Sequence, residues 1–419
     1  MGTKENIHKK DHKEMFDEEI KINDGAKPLA IVMGRLYSTR LTLVRAAGMV
    51  GCDVVLIQTQ EKGYYLKTDS SSKYVTACHH CPEPDDKALV ELIMSYAGKG
   101  RKVVLLPADD WVASILDIYY DTLSKSCLVP HVHQKQGGIL RLMDKDFQKS
   151  IAKKIGARAA EGWLCQEVDG KYQIPAGITY PCFTKPQESY PRPLKYLQKR
   201  CNNEQELKVV LDRIPKGSHK TMLVEEFVEI TQEFGVQGAT FDGRVVAPAV
   251  VAKDSSRQGI TATGKILPIK NMPELQAQVN AFLKETGMTG IFDMEFYISN
   301  GKLYFNEFNV RLGANGFALT YGVSNVPGLY VKYMLGEGDG TYDGPKDFEE
   351  KTFASEKVLR DFFYDKTMSM KEFKEIVRNS DILCLKHNDD NKPFKEFSKV
   401  DCILPLWRWL KDVKRKMKK

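Results

Sequence analysis

Residues 287–316 read GMTGIFDMEFYISNGKLYFNEFNVRLGANG. Residues 291–298 form a short run of apolar, aromatic and acidic side chains. Asn300-Gly301 is a strong hairpin-turn signal, and residues 302–308 are a second run rich in Tyr and Phe. This pattern predicts a β-hairpin. Strand side chains alternate between faces, so Asp293 and Glu295 point one way. On the partner strand Glu307 and Asn309 share a face, with Arg311 following if the strand continues and Leu303 and Phe305 preceding. Met294, Phe296, Phe308 and Val310 take the other face, together with Tyr304 and the polar exception Asn306.

Two carboxylates on one strand can therefore converge with a carboxylate and an amide on its neighbour. Like charges brought together cost energy unless a cation sits between them. A few hard oxygen ligands suit Mg²⁺ that is also held by substrate phosphates. Asp293, Glu295, Glu307 and Asn309 are thus candidate metal ligands, with Mn²⁺ a further candidate ion. The alternative is an edge hairpin whose acids face water. Against it, Gly287, Gly290, Gly313 and Gly316 bracket the hairpin and Arg311 follows the acids at once.

The order G-x-x-G-x-x-D-x-E, then N-G-x-x-Y-F-x-E-x-N-x-R-x-G, resembles the magnesium-site signature of the ATP-grasp superfamily. That resemblance implies ATP as cofactor beside the metal. Lys185, in Tyr180-Pro-Cys-Phe-Thr-Lys-Pro186, resembles the superfamily's phosphate-binding lysine. A lysine at a strand end can place one compact charge on a phosphate. Lys145 resembles the earlier phosphate lysine. Glu225-Glu226-Phe227-Val228 resembles the segment joining two ATP-binding lobes. There Glu225 would accept from the adenine amino group, and backbone near Phe227 and Val228 would read the ring edge. Glu233 would hold the ribose. Taken alone, the same stretch reads as a strand with exposed acids. Lys253 and Arg257, between the sheet and the hairpin, are candidates for an oxyanion or a substrate carboxylate, as is Arg311; a surface loop explains the first two equally well. Residues 187–203 contain no glycine, a departure from the Gly- and Ser-rich phosphate lid of many members. Arg192, Lys195 or Lys199 would substitute by charge.

Working outward, residues 28–34, 38–50 and 53–57 give a β-α-β start of the open-sheet kind. Only Gly34 stands where a dinucleotide fingerprint needs several glycines, so that function is unsupported. The expected architecture is α/β followed by α+β. A polar extension (1–27) precedes an open-sheet α/β domain (28–135), resembling the one before many ATP-grasp modules. A two-lobed ATP-grasp module (136–336) and a C-terminal extension (337–419) follow. Asp144 is a plausible cap for a helix over 144–155.

The chain has 419 residues, 42% hydrophobic and 28% charged, ordinary for a globular protein of two or three domains. No apolar run approaches a membrane span, and the N-terminus lacks the apolar region of a secretory signal. Nine scattered cysteines fit a reducing cytoplasm. Cys78, Cys81, His131 and His133 can be drawn as a zinc site, though no second C-x-x-C accompanies them. The net charge is +7, and residues 408–419 hold seven basic residues and one acid. The body is nearly balanced, so a nucleic-acid groove is not indicated. Residues 405–419 have an apolar side with Leu406, Trp407, Leu410, Val413 and Met417, opposite a largely basic one. They suit either an anionic membrane surface or docking on the body.

The resemblance lies closest to the carboxylate–amine ligases, including D-aspartate ligase-like proteins. It implies a carboxylate activated as an acyl phosphate, then displaced by an amine. A small-molecule kinase and a non-catalytic nucleotide binder are the alternatives. The expected partners are a carboxylate, such as an amino acid or envelope precursor, and an amine. A homodimer is compatible, and the expected location is the cytoplasm or inner membrane face.

Overall fold

Four apolar runs, Leu29–Gly34 (β1), Asp53–Gln58 (β2), Val75–His80 (β3) and Val103–Pro107 (β4), form a parallel sheet in the order β3-β2-β1-β4. The structure is a computed structural model that describes residues 27–60, 66–82, 85–187, 195–215, 220–257 and 259–400. Alternation along β1 explains why the sheet is covered on both faces. Leu29, Ile31 and Met33 join a core with Leu105, Val112 and Ile115. Ala30 and Val32 join another with Phe241, Phe317 and Tyr330, which lies against the rest of the protein. Helix Asp110–Ile118 follows β4, and its start is capped by the Asp109 carboxylate, which accepts from Val112 N at 2.9 Å.

His131–Val132 (β5) and Arg158–Ala159 (β6) are two-residue strands. Between them, helix Lys145–Lys154 starts at Asp144, whose side chain accepts from Phe147 N. A smaller sheet follows, built from Gly162–Val168 (β7), Lys171–Gln173 (β8), Cys182–Pro186 (β9), Arg200–Cys201 (β10) and Thr221–Glu226 (β11). Its order is β10-β9-β11-β7-β8. Cys182, Thr184, Met222 and Val224 alternate with Phe183, Lys185, Leu223 and Glu225. Cys182, Met222 and Val224 pack on Leu207 and Leu211; Lys185 and Glu225 face the opposite way.

The large sheet adds Gln232–Phe241 (β12), Arg244–Val246 (β13), Ala249–Arg257 (β14), Ile260–Pro268 (β15), Met288–Ser299 (β16), Lys302–Asn309 (β17), Lys351–Ala354 (β18) and Ile382–Leu383 (β19). Its main order is β19-β18-β15-β14-β12-β16-β17-β6. One face is uniformly apolar: Phe234, Val236, Phe292, Met294, Phe296, Phe305 and Phe308 bury against Ile151 and Phe282. The other face changes character along its length. Ala239, Phe241, Val251 and Ile291 pack toward the N-terminal sheet. Further along the same strands that face carries Glu233, Gln237, Lys253, Asp293 and Glu295, by the registers Glu233↔Lys253 and Gln237↔Asp293.

The hairpin forms as the sequence predicts, with Asn300 and Gly301 at φ +49° and +69°, the left-handed pair that a type I′ turn needs. One expectation is corrected. Asp293↔Asn309, Met294↔Phe308 and Glu295↔Glu307 pair in register, but Phe296 pairs with Phe305. Asn306 is the extra residue of a β-bulge, which reverses the facing of everything before it on β17. Leu303 and Phe305 therefore lie in the apolar core, not beside the acids. Tyr304 joins the acidic face instead, stacked on Tyr297 with ring centroids 5.3 Å apart and planes 6° apart.

Residues after 350 are tied into the body. β18 pairs with β15. Arg45, fully buried in helix Tyr37–Met49, meets Asp390 at 2.9 Å and donates to the carbonyls of Cys384, Leu385 and Asp390.

Candidate active site

The acidic face of β16 and β17 lies where three parts of the chain meet: the hairpin, helix Lys145–Lys154 and the small sheet. Gln148 fixes the helix to the hairpin. Its Nε2 donates to Phe308 O at 2.8 Å, and its Oε1 accepts from Phe308 N at 2.9 Å. One turn earlier, Lys145 Nζ consequently reaches Glu307 Oε1 at 3.0 Å. Burial works against the charged Glu307, yet the ammoniums of Lys145 and Lys185 prevail and take its carboxyl down to about 2.

From the small sheet, Lys185 reaches Glu225 Oε2 at 2.7 Å and donates to Asn306 Oδ1 at 2.9 Å. The bulge is what aims Asn306 at this lysine. Lys149, four residues after Lys145, contacts Glu225 Oε1 at 2.5 Å. Gly162 makes room for it: a Cβ there would stand 2.9 Å from Lys149 Nζ. Burial disfavours the Glu225 carboxylate, but the two lysines hold its pKa below the usual range.

Lys253 crosses the sheet to Glu295 Oε1 at 3.1 Å. Burial opposes the Lys253 charge, and Glu295 and Asp293 more than restore it. Asp293 lies deeper, 4% exposed, accepting from Asn309 Nδ2 at 3.3 Å. Burial and then the Glu295 charge push its pKa up to about 7, against Arg311 and Lys253. Arg311 pairs through Nε with Asp110 Oδ1 at 3.0 Å, and its Nη1 stands 3.8 Å from Asp293 Oδ2. Gly313 is confined here, since a Cβ would meet Gln237 Nε2 at 2.6 Å and Asp293 Cγ at 2.8 Å.

The structure thus brings together Lys145, Lys185, Lys253, Glu295, Glu307, Asn309, Asp293 and Arg311. The other expected residues lie around this group. The Glu225 carboxylate meets Lys149 and Lys185. Glu226 Oε1 accepts from Glu161 N at 3.0 Å, and Phe227 N donates to Pro181 O at 3.0 Å. The Phe227 ring lies under the Arg200 guanidinium, 4.4 Å from its centroid. Val228 follows β11 outside the sheet, and Glu233 is on the acidic face opposite Tyr297. Arg257 ends β14, and its side chain lies outside the described residues, as do Arg192, the Lys195 side chain and residues 405–419. Lys199 is exposed.

Lys149, Asp110 and Asn306 are not among the site residues expected from the sequence. The i, i+4 spacing from Lys145 was a usable signal for Lys149. Asp110 comes from a different domain, and Asn306 depends on the bulge.

Among the described residues no three His, Cys, Asp or Glu side chains gather as a ready-made metal cage. The zinc alternative therefore has no geometric basis: His131 Nδ1 accepts from Gln134 N at 3.2 Å, and His133 packs on Gly287. On the acidic face Glu295 and Glu307 oppose each other across the strands, each occupied by an ammonium. That donor set fits an ion with few protein oxygens and phosphates for the rest, and the two lysines fit those phosphates. Among the described residues no helix is long and apolar enough to cross a membrane.

The fold is shared with solved structures. An L-amino acid ligase from Bacillus licheniformis superimposes with a TM-score of 0.57 at 15% identity, covering 78% of this chain and 79% of that one. N5-carboxyaminoimidazole synthetase from Staphylococcus aureus gives 0.56 at 17% identity, covering 82% and 86%. A biotin carboxylase–βγ-ATP complex from Campylobacter jejuni gives 0.56 at 15%, covering 77% and 74%. No curated protein sequence matches the chain. The ATP-grasp domain family matches residues 150–322. These residues are an ATP-grasp domain, and the chain has the ATP-grasp fold.

Proposed function

We propose that this protein is an ATP-dependent carboxylate–amine ligase, forming an amide through an acyl phosphate and releasing ADP and phosphate. The observation that carries this reading is the opposed pair Glu295 and Glu307, with Lys145 and Lys185 arriving from separate elements. In it, Glu295, Glu307 and Asn309 would hold Mg²⁺, and Asp293 supports Asn309 and Arg311 from behind. Lys145 and Lys185 would hold the phosphate oxygens of ATP, and Lys149, paired with Glu225, would keep that carboxylate neutralised. MgATP, when bound, supplies the phosphoryl group that activates the carboxylate. Arg311 holds the reacting carboxylate, so the protein acts by positioning and charge neutralisation. The names of the similar structures, an L-amino acid ligase and a carboxylase bound to an ATP analogue, agree with nucleotide-driven ligation.

An ADP-release assay over a matrix of carboxylic acids and amines tests the proposal. Release that needs both partners supports ligation. Release with one hydroxyl-bearing acceptor alone indicates a kinase, and no release from any pair indicates a nucleotide binder.

A further inference from the structure

We propose that the basic tail, residues 405–419, docks on its own chain, in an apolar groove at the elbow of two C-terminal helices. Those helices are Glu356–Tyr364 and Met370–Asn379. The first ends where Lys366 turns left-handed, φ +61°, and Thr367 N donates back to Phe362 O at 3.0 Å. The second starts at a capping box, in which Ser369 Oγ accepts from Glu372 N and Glu372 Oε2 from Ser369 N. The elbow between them holds a groove of about 600 Å³ lined by Phe363, Tyr364, Met368 and Glu372. A smaller hollow continues it along Glu375 and Ile376.

The second helix is incompletely covered. Phe373, Ile376 and Val377 recur at i, i+3 and i+4, the spacing of a core-facing stripe. They lean on the core of Val358 and Leu359, yet among the described residues this helix has none that is buried. Apolar side chains gathered on a concave surface mark a place where another element packs.

Reach selects the tail as that element. The described chain ends at Val400, in a helical segment whose Phe397 packs with Leu41 and Leu385, and Tyr37 lies against that cluster. Lys357, in the first turn of helix Glu356–Tyr364, stands over the same Tyr37 ring at 5.7 Å. The chain therefore leaves the body near the start of this helix. The groove is at its far end, roughly 12 Å along at the helical rise. Residues 401–404 span up to roughly 13 Å when extended, and residues 405–419 add roughly 22 Å as a helix.

Shape and charge agree. Leu406, Trp407, Leu410, Val413 and Met417 give the tail one apolar side, and Pro405 suits its first turn. Among the described lining residues Glu372 and Glu375 outnumber Lys366, and residues 408–419 carry seven basic residues against one acid. A tethered segment also meets its groove at an effective concentration on the order of millimolar.

The test is photo-crosslinking of the full chain with benzoylphenylalanine in place of Leu410, read by peptide mass mapping, beside amide hydrogen exchange. Crosslinks should fall on residues 363–376, in species of single-chain mass whose yield does not change on dilution. Amides of residues 370–379 should exchange roughly ten-fold or more faster in a full-length variant carrying Trp407→Ser with Leu410→Ser, the shift expected when large apolar side chains lose their burial. That variant alters no residue of the groove, so a folding defect in the two helices does not imitate the effect. Crosslinks elsewhere on the body, crosslinks only between chains, or capture of the tail only by added phosphatidylserine vesicles overturns the proposal. So does exchange over residues 370–379 that the tail variant leaves unchanged.

Discussion

Gln148 grips both backbone polar atoms of Phe308, at 2.8 Å to the carbonyl and 2.9 Å from the amide. The grip sets the height of helix Lys145–Lys154 on the hairpin, and with it the reach of Lys145 to Glu307. Gln148→Leu strands a buried amide and carbonyl, each costing about 1–3 kcal/mol. The expected outcome is a lower urea midpoint together with weaker nucleotide binding. A variant with parental stability shows that the contact does not organise the site.

Lys185→Ala should weaken ATP binding by about 2–5 kcal/mol, the range for truncating one member of a desolvated charge pair. Its folding should change less, because Glu225 retains Lys149 at 2.5 Å. Calorimetry with ATP and Mg²⁺ checks the first part and denaturation the second. Unchanged ATP affinity removes Lys185 from the phosphates.

Glu307→Gln and Asn309→Ala should each abolish Mg²⁺-dependent turnover and leave the fold intact. Full activity of either at limiting Mg²⁺ moves the metal elsewhere. Glu307→Gln also carries a pH signature. The folded carboxyl is held down at about 2, below an unfolded value of roughly 4.3. Such a group stabilises the fold above the unfolded pKa, and that contribution is lost as pH falls through the folded one. The stability gap between parent and variant should shrink as pH drops from roughly 5 toward 2. A gap constant with pH contradicts the ion pair.

Asp390→Ala should be among the most destabilising single changes, at about 3–5 kcal/mol, because it leaves Arg45 buried without its carboxylate. Both side chains are at most 1% exposed. Thermal or urea unfolding measures this. A small effect detaches residues after 350 from the body.

The hairpin, its turn and the convergence of Glu295, Glu307 and Asn309 were legible because strand alternation and the Asn300-Gly301 turn are local rules. The alternation failed at Asn306, where a bulge breaks the period of two. No residue type announced that bulge, although a lone polar side chain on an apolar face was its trace. Lys185 was legible as a strand-end lysine. Its pairing with Glu225 was not legible, because the register between β9 and β11 decides which carboxylate meets it. Asp110 was illegible as a site residue: it is 201 positions from Arg311, and only the packing of two domains joins them. Glu225 and Asp390 show the same limit, since sequence locates buried charges poorly when their partners are distant in the chain.

Hydroxylamine trapping decides between ligase and kinase. With the amine substrate withheld, the protein, ATP, Mg²⁺ and an acid that supports ADP release are incubated with hydroxylamine. An acyl phosphate is intercepted as a hydroxamate, and its yield should follow ADP release and vanish in Glu307→Gln. ADP release across a broad panel of acids with no hydroxamate from any of them contradicts the acyl-phosphate ligase.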